Sequence, residues 1–158
     1  MKSTIAMLVI AALMSCNHME ATKEPGQAVL EKTKSPLVGT WKLISGTLIA
    51  KGDTTVTDYT KGQEFIKIIN DTHFAFIMHD LKKGKDSAAA FSAGAGTYTL
   101  ADSVYTEHLD FCNDRQWEGN SFPFVITIAN DTLEQRGVEK IEGIGVDRLN
   151  IEKYIRVK

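Results

Sequence analysis

His108, Asp110 and Cys112 stand two residues apart in the run Val104–Cys112. The alternation of that run reads as a β-strand, so the three side chains project from one face. Imidazole, carboxylate and thiolate are all competent transition-metal ligands. Consecutive same-face positions on a strand lie ~6.6 Å apart, however, too far for three to close on one ion, and no metal site is expected. The opposite face carries Tyr105, Glu107, Leu109 and Phe111, aromatic bulk around a single carboxylate. Turned inward, that set has the make-up of an apolar pocket in which one charged group orients a ligand; Tyr98, across the turn Ala101-Asp102-Ser103, shares it. Turned outward, Glu107 is solvated and the histidine face is internal.

The stretch Asn113–Gly119 adds Arg115 and Trp117 at one end of the same strand. Loops carry binding roles out of proportion to their length, although a self-packed structural loop fits this composition too. The candidate ligand-binding residues are therefore Tyr98, Tyr105, Glu107, Phe111, Arg115 and Trp117. Catalytic signals are missing: there is no Gly-x-Ser-x-Gly elbow, phosphate-cradling glycine loop or His-Glu-x-x-His helix. Glu107, His108 and Asp110 belong to types that burial tunes toward neutrality, but their spacing alone does not make an acid–base pair. No catalytic residue and no cofactor is assigned, and His73, His79 and the lysine-rich Asp80–Asp86 connector receive no role.

The elements that must position these residues begin well inside the chain. Met1-Lys2 is followed by an apolar run from Ile5 to Met14 and then Ser15-Cys16, the layout of a secretory signal. The run is shorter than the ~20 residues a membrane-spanning helix needs. Leu13-Met14-Ser15-Cys16 resembles the lipobox of bacterial lipoproteins, which implies cleavage before Cys16 and its acylation; more than one chain gives a stable membrane anchor. The alternative is an ordinary signal peptide with an incidental thiol. Residues 1–15 thus read as signal, 16–35 as a polar tether, and 36–158 as one domain. This places the protein in the cell envelope, on the outer membrane, facing the periplasm or the exterior. A net charge of −2 offers no basic face for nucleic acid, and Cys112 alone remains in the body of the chain, so the domain must be held by its core.

Behind Pro36 come short runs rich in Val, Ile, Thr, Phe and Tyr, separated by turn signals: Leu37–Ala50, Gln63–Asn70, Thr72–His79, Ala88–Leu100, Val104–Cys112, Phe122–Asn130, Thr132–Val138 and Asn150–Val157. Asn70-Asp71 and Asn130-Asp131 suit tight hairpins, because both residue types tolerate positive φ. In Phe122–Ala129 both faces are fairly apolar, which predicts a core on one side and a covered surface on the other. No segment carries a sustained helical stripe. Eight strands in up-and-down order predict an all-β antiparallel barrel, wide enough to be filled by side chains or to hold one small ligand; a β-sandwich is the alternative. Gly94 and Gly96 mark a bend or bulge, or a loose loop.

Gly39-Thr40-Trp41 at the start of the first strand resembles the G-x-W signature that opens lipocalins and the wider calycin group. The resemblance implies that Trp41 plugs the closed end of the barrel and that Arg156, in the last strand, packs over its ring, a structural role for Gly39, Trp41 and Arg156. With Gly96-Thr97-Tyr98-Thr99-Leu100, Tyr105-Thr106-Glu107-His108 and Glu152-Lys153-Tyr154, residues 37–158 are similar to small lipocalin-like lipoproteins of Gram-negative bacteria, a largely uncharacterised family. The function expected is binding of a small apolar or amphipathic ligand in the barrel. The alternatives are an envelope interaction or inhibitor module acting through the loops near Trp117, and a calycin-fold isomerase or hydrolase.

Overall fold

The structure, a computed structural model, describes residues 34–158 apart from 86 and 88; the signal, Cys16 and most of the tether lie outside the described residues. Nine strands follow in order: β1 (Gly39–Ala50), β2 (Asp53–Asp58), β3 (Gln63–Ile69), β4 (His73–Asp80), β5 (Phe91–Ala101), β6 (Val104–Cys112), β7 (Asn120–Ala129), β8 (Thr132–Ile141) and β9 (Val146–Arg156). All pairings are antiparallel between neighbours from β3 to β9, and β9 returns to pair with β1. The result is a closed eight-stranded antiparallel barrel. The ninth strand, β2, arises because one side of β1 is shared: Gly39–Lys42 pairs with β3 and Ser45–Ala50 with β2. The sequence reading missed β2 because Asp53-Thr-Thr-Val-Thr-Asp58 has one apolar side chain and is almost wholly exposed, so it carries no hydrophobic alternation.

The two Asn-Asp turns close differently. Asn130 and Asp131 both adopt left-handed backbone, at φ 49° and 59°, the geometry that matches strand twist in a two-residue hairpin. At Asn70 the side chain does the work instead, accepting hydrogen bonds from the Thr72 and His73 amides at 2.9 and 2.7 Å.

Trp41 is fully buried at one end, among Leu37, Ile69, Phe74, Tyr105, Leu133 and Tyr154. Its indole N–H donates to the Leu37 carbonyl at 2.8 Å, and the Arg156 guanidinium lies 4.1 Å from the ring centre. Nη1 of Arg156 also donates to the Val38 carbonyl. Gly39 explains itself here: its φ is +152°, and a Cβ on it would stand 2.5 Å from Arg156 Nη1. That residue must lack a side chain for the cation to reach the tryptophan.

Strand phase is set by two bulges. One falls between Leu43 and Ser45, so the inward residues of β1 are Trp41 and Leu43, then Gly46 and Leu48. The other leaves Asp110 of β6 unpaired, with Gly96 opposite Leu109 and Ala95 opposite Phe111. Gly96 makes that bulge feasible, because a Cβ there would overlap the His108 carbonyl. Phe122, Phe124 and Ile126 of β7 point into the core, but Val125 on its other face is 53% exposed. The expectation of a covered outer face fails: apolar residues on a barrel wall need no partner when they are scattered singly.

Candidate functional site

Above the Trp41 plug lies a polar layer. Lys67 on β3 is buried beside the rings of Tyr154 and Phe74. Its ammonium donates to Glu107 Oε1 at 2.7 Å and to Gln135 Oε1 at 3.1 Å, and lies 3.9 Å from Glu152 Oε2. Burial opposes the Lys67 charge, yet Glu107, Glu152 and Glu139 together hold its pKa above the usual lysine value. Burial pushes the Glu107 carboxyl up from the ordinary range, against the pull of Lys67. Tyr154 donates its hydroxyl to Glu152 Oε2 at 2.7 Å. The Tyr105 hydroxyl is buried without a hydrogen-bond partner of adequate geometry; burial first, and the nearby Glu107 second, raise its pKa.

Beyond this layer the barrel is hollow. A cavity of about 340 Å³ opens between the polar layer and the mouth. One wall is apolar and aromatic, with Phe65 and Phe76 stacked at 5.6 Å, Leu109, Phe122 and Phe124. The other is polar and comes from β8 and β9: Gln135, Glu139, Arg148, Asn150 and Glu152. There Glu139 accepts from Arg148 Nε at 2.6 Å through one oxygen and from Asn150 Nδ2 at 2.9 Å through the other. At the mouth Trp117 packs on Phe122 with ring centres 5.7 Å apart, and Arg148 lies 5.0 Å from the centre of the indole. The short 3-10 turn Arg115–Trp117 that presents it is capped by the Asp114 side chain.

Of the six residues singled out in the sequence, Glu107 and Trp117 line the cavity. Tyr105 and Tyr98 point inward but belong to the plug, their rings 5.1 Å apart, and the Tyr98 hydroxyl is engaged by the Asn70 carbonyl. Phe111 is on the outside, 69% exposed, because the Asp110 bulge reverses the phase after Leu109. The same bulge separates the supposed His-Asp-Cys face: His108 contacts Ser121 and Asp110 accepts from the Thr97 amide on the outer surface, while Cys112 turns to the cavity. Arg115 is exposed and paired with Glu118 at 2.7 Å, away from the cavity. Among the described residues no group of three His, Cys, Asp or Glu side chains is arranged to hold a metal.

Lys67, Gln135, Glu139, Arg148, Asn150 and Glu152 were not foreseen. Alternation along β9 argues against them, since its outward phase holds Leu149, Ile151 and Ile155 and its inward phase Arg148, Asn150 and Glu152. The usable signal was Tyr154: once it is placed in the plug opposite Leu133, every second residue before it must face the interior.

No protein-family profile and no curated protein matches the chain. A solved structure, an uncharacterized protein from Bacteroides eggerthii, aligns with 76% of this chain and 98% of its own, at 13% identity and a TM-score of 0.43.

Proposed function

We propose that this protein is a lipocalin-like envelope lipoprotein, anchored through Cys16, whose barrel binds a small amphipathic molecule. The observation that carries the reading is the hollow itself: about 340 Å³, bounded by an aromatic wall on one side and a polar wall on the other. Small-molecule sites have this character, largely apolar with a few placed polar groups, and start at ~300 Å³. The signal-like residues 1–15 and the lipobox-like Leu13–Cys16 support the envelope location, and Asn17 after the cysteine favours the outer membrane.

Native mass spectrometry of the chain carrying Cys16→Ser, purified without detergent, tests the reading. A co-purifying small molecule is expected, and it should be lost from a Leu109→Trp variant whose larger side chain fills the hollow. A clean apo mass, together with no binding of an apolar fluorescent probe by the parent chain, overturns it.

The outer face of β4–β6 exposes Ile77, Phe91 and Phe111 and favours a second reading, docking of an envelope protein on the barrel wall rather than through the Trp117 loop. Phe91→Ser with Phe111→Ser should then abolish capture of that partner and leave ligand binding intact.

A further inference from the structure

Resting on the cavity reading, we infer that the ligand's polar end is a protonated amine, seated between Glu107 and Glu152 at the cavity floor. The charges inside the barrel are unequal. Glu107, Glu139 and Glu152 line the cavity against Lys67 and Arg148. Glu139 is satisfied by Arg148 and Asn150, one donor on each oxygen. That leaves Glu107 and Glu152 to share the single ammonium of Lys67, at 2.7 and 3.9 Å.

Among the described residues, Glu152 Oε1 has no hydrogen-bond donor, and Glu107, beyond Lys67, has only the adjacent Tyr105 hydroxyl. Both residues border the hollow. The Tyr105 hydroxyl, wholly buried beside Glu107 and without a well-aligned acceptor, is a third polar group at the same spot. An ammonium donates three hydrogen bonds and carries the missing charge, so one group of this type satisfies both carboxylates. Unpaired buried charge is otherwise among the costliest features a fold can hold.

The opposite sign does not fit. Lys67 already has two hydrogen bonds and a second carboxylate beside it, with aromatic rings on its remaining sides. An incoming carboxylate or phosphate would meet carboxylate oxygens at the floor, where the Tyr105 hydroxyl is buried beside Glu107. The body of the ligand lies along Phe65, Phe76, Leu109 and Phe122. At the ~30 Å³ that one water occupies in the liquid, the volume holds on the order of ten heavy atoms, the size of a medium-chain alkylamine or a small arylalkylamine.

Octylamine, octanol and octanoate share one tail and differ in the head. Isothermal titration of the Cys16→Ser chain with each at neutral pH separates the possibilities. Octylamine should bind at least about tenfold tighter than octanol, as a charge-assisted hydrogen bond implies, with octanoate weakest. Glu107→Gln and Glu152→Gln should each reduce octylamine affinity by about tenfold while octanol stays within about threefold; octanol binding also reports that the variants are folded. Octanol matching octylamine, or octanoate exceeding it, overturns the amine assignment and leaves the ligand-binding cavity standing. Binding of none of the three overturns the cavity reading and the amine with it.

Discussion

Replacing Lys67 with methionine removes the only cation that the described residues place at the floor of the barrel, while keeping the length of the side chain. At an effective dielectric of about 20, the gross attraction is ~6 kcal/mol for Glu107 at 2.7 Å and ~4 kcal/mol for Glu152 at 3.9 Å. Desolvating the ammonium costs several kcal/mol of this, and breaking a buried pair from one side typically destabilises by about 3–5 kcal/mol. For a domain of this size that is a fall of roughly 10–20 °C in Tm.

The pH dependence carries the diagnostic sign. Glu107 has a folded pKa above its unfolded value because of burial, so its favourable contribution is complete below the unfolded pKa of ~4.3 and is lost as pH rises through the folded one. Without Lys67 the folded value rises further. The Lys67→Met deficit should therefore be small near pH 4 and widen toward pH 7. Adding Glu107→Leu to Lys67→Met should recover stability at pH 7, because two apolar groups replace a buried pair at little net cost. Urea denaturation at pH 4, 5.5 and 7 measures all three chains. A single variant within about 1 kcal/mol of the parent at pH 7, with a flat profile, would refute the claim that this ion pair is buried and shared.

Gly96→Ala should cost more than about 2 kcal/mol by forcing the bulge apart, whereas Gly143→Ala, which meets nothing within 4 Å, should stay within about 0.5 kcal/mol; chemical denaturation compares them. Arg156→Lys gives up the planar guanidinium over Trp41 and a carbonyl contact, so a loss of about 1–2 kcal/mol is expected by the same method, and no loss would remove the tryptophan plug from the account of stability. Cys112 borders the cavity; its alkylation by a maleimide, followed by mass, should slow in proportion to octylamine occupancy, and an unchanged rate at saturation would place the amine elsewhere.

Much of the scaffold is legible in the residues alone. Seven of the eight expected strands sit close to their predicted bounds, and the eighth, expected from Asn150, begins at Val146. Their alternation and the Asn130-Asp131 turn express local rules, since side chains alternate on a strand and left-handed turns take Asn and Asp; the packing of Arg156 over Trp41 is what the resemblance of Gly39-x-Trp41 implied. The site is different. Whether Glu107 faces in or out depends on the register of β6 with both neighbours, and the Asp110 bulge then sends Phe111 out and Cys112 in, a reversal that no two-residue period can announce.

The polar wall is the clearest case of tertiary control. Arg148, Asn150 and Glu152 look like an outer surface and Leu149, Ile151 and Ile155 like a core, yet closure of the sheet with Tyr154 in the plug turns the strand the other way. The sequence by itself determined a succession of antiparallel strands and their turns, because those features come from neighbours along the chain, and left a barrel and a sandwich both open. Only the tertiary structure decided that the interior is hollow and charged. Lys67, Glu107 and Glu152 lie on three different strands, and their meeting depends on barrel registers that fix every inward position together.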